Sequence, residues 1–213
     1  MKNLIYITSH RQVDELEYYS KFLNRTQIVR DFDLILTINK PDIDLNRVRS
    51  SFLSFPNKIK HLIITDKNCG YKLGPHEAIS DFFNHMKSYD NVIHMHPDVF
   101  IVDENKLIEV INSNTDCGII YGSGGPEPGS GKPQMFDTDL FIIRPKLIDK
   151  NIFEAYSEPQ YRNSICEEFF EAAVKNNNIK HAFVPKFENN WYLPRRPSFW
   201  GCWHEHDLNR LKV

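Results

Sequence analysis

His96-Pro97-Asp98 sets an imidazole and a carboxylate two residues apart, directly after the apolar run Val92-Ile93-His94-Met95. A nitrogen donor and a hard oxygen donor so placed can share a divalent cation or orient a polar ligand. The same triplet also suits a plain turn in which Asp98 accepts hydrogen bonds from loop amides. Asp137-Thr138-Asp139 offers a second pair of carboxylates, which can accept bidentate hydrogen bonds from vicinal hydroxyls. Glu167-Glu168 follows Ser164 at the start of a helical pattern and fits a capping box. The tail Trp200-Gly201-Cys202-Trp203-His204-Glu205-His206-Asp207 gathers two histidines among tryptophans, either to cap a core or to present ligands. Gly129-Ser130-Gly131-Lys132 is no phosphate loop, because that motif needs Gly where Pro126 stands and Ser or Thr where Pro133 stands.

These residues need elements to hold them. Leu4-Ile5-Tyr6-Ile7 reads as a strand covered on both faces, and it ends in Thr8-Ser9-His10-Arg11, where a first loop would meet a ligand. Residues 12–24 carry Val13, Leu16, Tyr19, Phe22 and Leu23 at helical spacing. Strand 33–39, helix 41–55 and strand 60–66 follow, giving β-α-β-α-β and a parallel sheet with right-handed crossovers. After Leu62-Ile63-Ile64, the residues from Thr65-Asp66 through Asn68-Cys69-Gly70 to Lys72-Leu73-Gly74 read as loop. A helix then begins near Pro75, with Ala78, Phe82, Phe83 and Met86 on one stripe. His96 and Asp98 are expected at the carboxyl end of the next strand, side by side by period-two alternation, on the edge that faces the ligand crevice of an open α/β sheet. Strands over 117–121 and 135–145 and a helix over 164–175 complete the pattern. Between them residues 122–133, dense in Gly, Pro and Ser, are expected to form a flexible lid.

Composition narrows the function. With 26 basic and 28 acidic residues in 213, a net charge of -2 gives no field for nucleic acid or an anionic membrane. Four cysteines without a C-x-x-C pair argue against a zinc knuckle or a disulfide frame and for reduced thiols in a cytoplasmic protein. No apolar run approaches the length of a membrane span. One domain, 1–213, monomeric and without an internal repeat, is the expected organisation.

The order of strand, Asn-x-Gly loop, Gly-Pro-led helix, apolar strand and a short acidic motif before Val99-Phe100-Ile101 resembles the first half of a GT-A glycosyltransferase. There the acidic motif is Asp-x-Asp, and here it is His96-Pro97-Asp98. A narrower resemblance is to viral glycosyltransferases that decorate capsid protein, such as the amino-terminal domain of a chlorella-virus enzyme. The resemblance implies an α/β fold of the GT-A kind, a mixed, mostly parallel sheet flanked by helices, with a nucleotide-binding half over 1–103 and an acceptor-binding half over 104–213. It implies transfer of a hexose from a UDP-sugar such as UDP-glucose to a hydroxyl of a glycan or glycoprotein. Thr8, Ser9 and Arg11 would line the base and ribose, Asp66 the uracil and Lys72 the phosphates. His96, Asp98 and one of His204 and His206 would hold Mn2+ in preference to Mg2+. Asp137 and Asp139 would touch donor sugar or acceptor hydroxyls, and Glu167 or Glu168 would serve as general base. A metal-dependent nucleotidyltransferase shares the fold logic, but its first loop is usually Gly-rich and Thr8-Ser9-His10-Arg11 has no glycine. The non-enzyme alternative is a glycan- or nucleotide-binding module without its metal.

Overall fold

The computed structural model describes residues 1–9, 13–39, 43–58, 60–65, 70–101, 103–123, 136–157, 166–184, 200 and 202–204. Its strands are β1 (Asn3–Ser9), β2 (Asp33–Ile38), β3 (Lys60–Ile64), β4 (Asn91–Met95), β5 (Val99–Ile101), β6 (Ile119–Ser123), β7 (Phe136–Ile143), β8 (His181–Phe183) and β9 (Cys202–His204). The helices are α1 (Val13–Leu23), α2 (Gln27–Arg30), α3 (Leu45–Leu53), α4 (Gly70–Met86), α5 (Glu104–Asn112) and α6 (Cys166–Asn176). Seven strands form one sheet in the order β3-β2-β1-β4-β7-β6-β8. β3, β2, β1 and β4 run parallel, while β7 runs antiparallel to both its neighbours.

Alternation along the strands divides the core in two. Ile5 and Ile7 of β1, Leu34, Leu36 and Ile38 of β2, and Ile93 and Met95 of β4 pack with α1, α3 and α5. Leu4, Tyr6, Ile35 and Val92 face the other way, against Ala78, Ile79, Phe83 and Met86 of α4 and Phe169, Phe170, Ala173 and Val174 of α6. Both faces are covered, which is why the strand sequences read as nearly unbroken apolar runs. Caps set some helix starts. Asp44 accepts from the amides of Asn46 and Arg47 ahead of α3, and Asp103 accepts from Lys106 ahead of α5.

Two expectations need correction. Helix α4 starts at Gly70, so Pro75 lies inside it rather than at its first turn, and Lys72 belongs to the helix rather than to a loop. Pro75 removes one amide donor, yet buried Ala78, Ile79, Phe83 and Met86 hold the helix on the sheet. Gly74 has a packing reason: a Cβ there would come within 2.8 Å of Asn39 Nδ2. Second, β4 ends at Met95, and the Val99 amide donates to the His96 carbonyl at 3.1 Å. His96 to Val99 is therefore a turn, and strand alternation does not govern where His96 and Asp98 point.

The α4 face also buries a histidine. His76 is fully enclosed, its ring centroid 4.5 Å from Phe169 and 4.3 Å from Phe170. Burial lowers its pKa to about 3, with the Cys166 backbone pulling the other way. The unfolded chain therefore binds more protons than the folded one between pH 6.5 and about 3, so stability is full above pH 6.5 and falls with acidification through that window. At pH 5 the cost is about 2 kcal/mol, which lowers the melting temperature by roughly 4–8 °C from its value at pH 7.5. His94, held far below the usual range by burial and then by the charges of His96 and His76, adds to the same slope. Melting curves of wild type and His76→Leu from pH 7.5 to 5 test this. Parallel profiles for the two proteins would remove His76 as a source of acid lability.

Candidate functional site

The sheet order locates a crevice before any side chain is considered. From β1 the chain steps outward through β2 to β3, then returns to place β4 on the other side of β1. In open α/β sheets ligands bind at such a switch point, beyond the carboxyl ends of the two flanking strands. Those ends are Ser9 on β1 and Met95 with its following turn on β4. Thr8-Ser9 and His96-Pro97-Asp98 therefore stand at the carboxyl ends of two neighbouring parallel strands, at this switch point.

The turn after β4 meets the start of β7. The ladder pairs Met95 with Leu140, and one step further the His96 amide donates to the Asp139 carbonyl at 3.0 Å. Side chains repeat the contact, with His96 Nδ1 at 3.2 Å from Asp139 Oδ1. The two acidic motifs, far apart in sequence, thus form one cluster. His96 and Asp139 are partly open to solvent, at 20% and 28% side-chain exposure, whereas Asp98 is buried. Burial alone would lower the pKa of His96. The hydrogen bond to Asp139 and the negative charges of Asp139, Asp98 and Glu167 outweigh it, and the imidazole is held above its usual range.

Beneath the opening lies a polar stack that sequence reading missed. Thr8 Oγ1 is 2.9 Å from His94 Nε2, so this hydroxyl is engaged under the crevice. The His94 ring lies 4.5 Å from Phe141 and stands T-shaped to His96 at 5.4 Å. Tyr6 Oη approaches Thr37 Oγ1 at 2.9 Å and donates to the Ala78 carbonyl at 2.7 Å, fastening β1 to β2 and α4. Histidines two residues apart, His94 and His96, were the available signal, since a buried strand seldom carries polar rings without partners. Ser9 Oγ is buried without a partner among the described residues.

On the far side, Thr138 Oγ1 donates to Glu167 Oε1 at 3.2 Å, joining β7 to the first turn of α6. Glu167 belongs to the cluster, being one of the charges His96 senses, while Glu168 beside it is exposed. Asp137 lies on β7, two residues before Asp139. The tail returns to the same place: β9 pairs antiparallel with β5, with Val99 opposite His204, so the backbone of His204 stands across from the residue after Asp98. Residues two apart on an extended strand share a face, so alternation does not choose between His204 and His206. Trp200 anchors this return, buried at a positive φ of 52° with its Nε1 donating to the Val184 carbonyl at 3.3 Å. Arg11, Asp66, His206 and residues 124–133 lie outside the described residues.

Among the described residues, no group of three or more His, Cys, Asp or Glu side chains has the arrangement of a complete metal site. His96 and Asp98, one imidazole and one carboxylate on a single turn, nevertheless supply two donor types that a divalent cation accepts. No helix among the described residues is long and apolar enough to cross a membrane.

No family model matches the chain, and no curated protein matches it. Solved structures do match. A mannosyltransferase from Pyrobaculum calidifontis, solved with GDP-mannose and Mn2+, superposes with a TM-score of 0.58 at 10% identity over 86% of this chain and 55% of its own. The glycosyltransferase GlyE of Streptococcus pneumoniae gives 0.56 at 11% identity, over 86% and 45%. A glucose-1-phosphate thymidylyltransferase from Bacillus anthracis gives 0.54 at 12%, over 86% of each chain. The chain thus spans about half the length of the two glycosyltransferases. Its mixed, mostly parallel sheet flanked by helices is the GT-A fold of nucleotide-diphospho-sugar transferases.

Proposed function

We propose that the protein is a metal-dependent glycosyltransferase that moves a hexose from a UDP-sugar to a hydroxyl of a glycan or glycoprotein. One observation carries the reading: at the switch point between β1 and β4, His96, Asp98, Asp139 and Glu167 gather in one cluster, and the tail strand β9 returns beside it. A nucleoside diphosphate leaving as the sugar bond breaks accumulates negative charge. A divalent cation held by His96, Asp98 and a tail histidine supplies the neutralising charge when bound. The fold's occurrence in a mannosyltransferase solved with a nucleotide-sugar and Mn2+ supports both donor class and cation.

Ser9, with its buried hydroxyl, stands at the end of β1 where the nucleotide half of the crevice opens, and Arg11, Asp66 and Lys72 follow on the adjoining segments. Glu167 rather than Glu168 is the candidate base, because it is the one joined to the cluster, and Asp137 on the same strand as Asp139 is left for sugar or acceptor hydroxyls. Calorimetry with UDP, CDP and GDP in the presence of Mn2+ tests the donor. UDP is expected to bind at least about tenfold more tightly than the others, about 1.4 kcal/mol, since a pocket built for one base leaves polar groups unpaired with another. Equal affinities would remove the assignment of Ser9, Arg11 and Asp66 to base and ribose.

The thymidylyltransferase match supports a second reading, nucleotidyl transfer. The two reactions leave different products: slow hydrolysis of a UDP-sugar to UDP marks the first, and pyrophosphate release from UTP and a sugar phosphate marks the second.

A further inference from the structure

We propose that Asp139 is a positioning residue for His96, fixing the ring so that Nδ1 carries the proton and Nε2 presents its lone pair to a divalent cation. The argument needs only donors and acceptors. A carboxylate can only accept, so the 3.2 Å contact between Asp139 Oδ1 and His96 Nδ1 requires the proton on Nδ1. Free imidazole favours the other tautomer, with the proton on Nε2, which cannot ligate through that nitrogen. The backbone bond from the His96 amide to the Asp139 carbonyl locks the two residues in register, so the pairing does not depend on side-chain chance. Ligating histidines characteristically donate their second ring N–H to a carboxylate or carbonyl, which sets tautomer and orientation. His94, T-shaped at 5.4 Å and tied to Thr8, supports the ring from below. The literal Asp-x-Asp of this chain then contributes to the site through His96.

This inference rests on the proposed cation-dependent donor site, so its test keeps the two apart. Ring-15N spectra of metal-free protein at pH 9, with His96 assigned from His96→Gln, should show the Nδ1–H tautomer in wild type and a shift to Nε2–H in Asp139→Ala. Asp139→Asn, which keeps an acceptor oxygen, should retain Nδ1–H. Affinity for UDP with Mn2+ should fall by about 10- to 100-fold in Asp139→Ala and recover most of that loss in Asp139→Asn, while UDP affinity in chelator stays as in wild type. An equal loss with and without Mn2+ would mean that Asp139 touches the nucleotide itself and would overturn the proposal, as would an Nε2–H tautomer in wild type. If UDP fails to bind wild type at all, the proposed donor is wrong. In that case the tautomer and the binding of Mn2+ alone, followed by electron spin resonance, decide the role of Asp139.

Discussion

Asp98→Ala is expected to lower kcat/KM for a UDP-sugar by about 10³-fold or more and to abolish the Mn2+-dependent part of UDP binding. Asp98 is the only carboxylate in the turn after β4, it is buried, and its charge is among those that hold His96 above its usual pKa. A cation at a diphosphate contributes several kcal/mol of charge stabilisation, and about 4 kcal/mol is about 10³-fold in rate. Asp98→Asn keeps the shape and loses the charge, so it should fail nearly as badly. Mn2+ should serve better than Mg2+, because the proposed ligands mix imidazole nitrogen with oxygen and Mg2+ prefers oxygen in a strict octahedron. Metal titrations followed through UDP binding decide the matter. Unchanged Mn2+ dependence in Asp98→Ala would exclude this turn as the cation site.

The first half of the fold was legible because its logic is local. Runs such as Leu4-Ile5-Tyr6-Ile7 and Val92-Ile93-His94-Met95 are apolar on both faces, and the helical stripe of α1 falls where its packed residues lie. Two local rules misled. Pro75 suggested a helix start, yet packing of the following stripe carried the helix back to Gly70. Alternation suggested a shared direction for His96 and Asp98, yet the strand had already ended.

What the sequence hid is the pairing of distant strands. His96 meets Asp139 only because β7 enters the sheet antiparallel beside β4. Nothing local in Phe136 to Ile143 says that it will, since an apolar strand fits any gap in a covered sheet. Sequence alone therefore gives His96-Pro97-Asp98 and Asp137-Thr138-Asp139 separate roles, whereas the fold brings His96 and Asp139 into contact. The return of the tail beside β5 is of the same kind: Trp203 opposite Phe100 is a two-stranded sheet that periodicity over three residues does not announce.

Arg144, which no motif marked, gives the second large effect: Arg144→Met is expected to destabilise the fold by about 3–5 kcal/mol. The residue is 5% exposed, and all five guanidinium donors are used. Nε donates to Asn91 Oδ1 at 2.9 Å. Nη1 donates to the carbonyls of Asn114 at 2.6 Å and Cys117 at 3.0 Å, and Nη2 to those of Ile111 at 2.7 Å and Ser113 at 2.9 Å. These carbonyls end α5 and begin the turn into β6, so one cation satisfies acceptors that a helix terminus leaves open and sits at the negative end of the helix dipole. Burial lowers the guanidinium pKa, but the group stays charged at neutral pH. Methionine fills the volume and leaves four carbonyls without their donor, each costing about 1–3 kcal/mol before relaxation and water recover part of it. Lysine keeps the charge on a single nitrogen that cannot reach all four, so Arg144→Lys should recover less than half of the loss. Spread over a chain of this size, the expected drop in melting temperature for Arg144→Met is roughly 6–20 °C. Thermal and urea melts of the two variants are the measurement. A methionine variant melting within about 2 °C of wild type would show that water reaches these carbonyls and that the guanidinium is dispensable to the junction between α5 and β6.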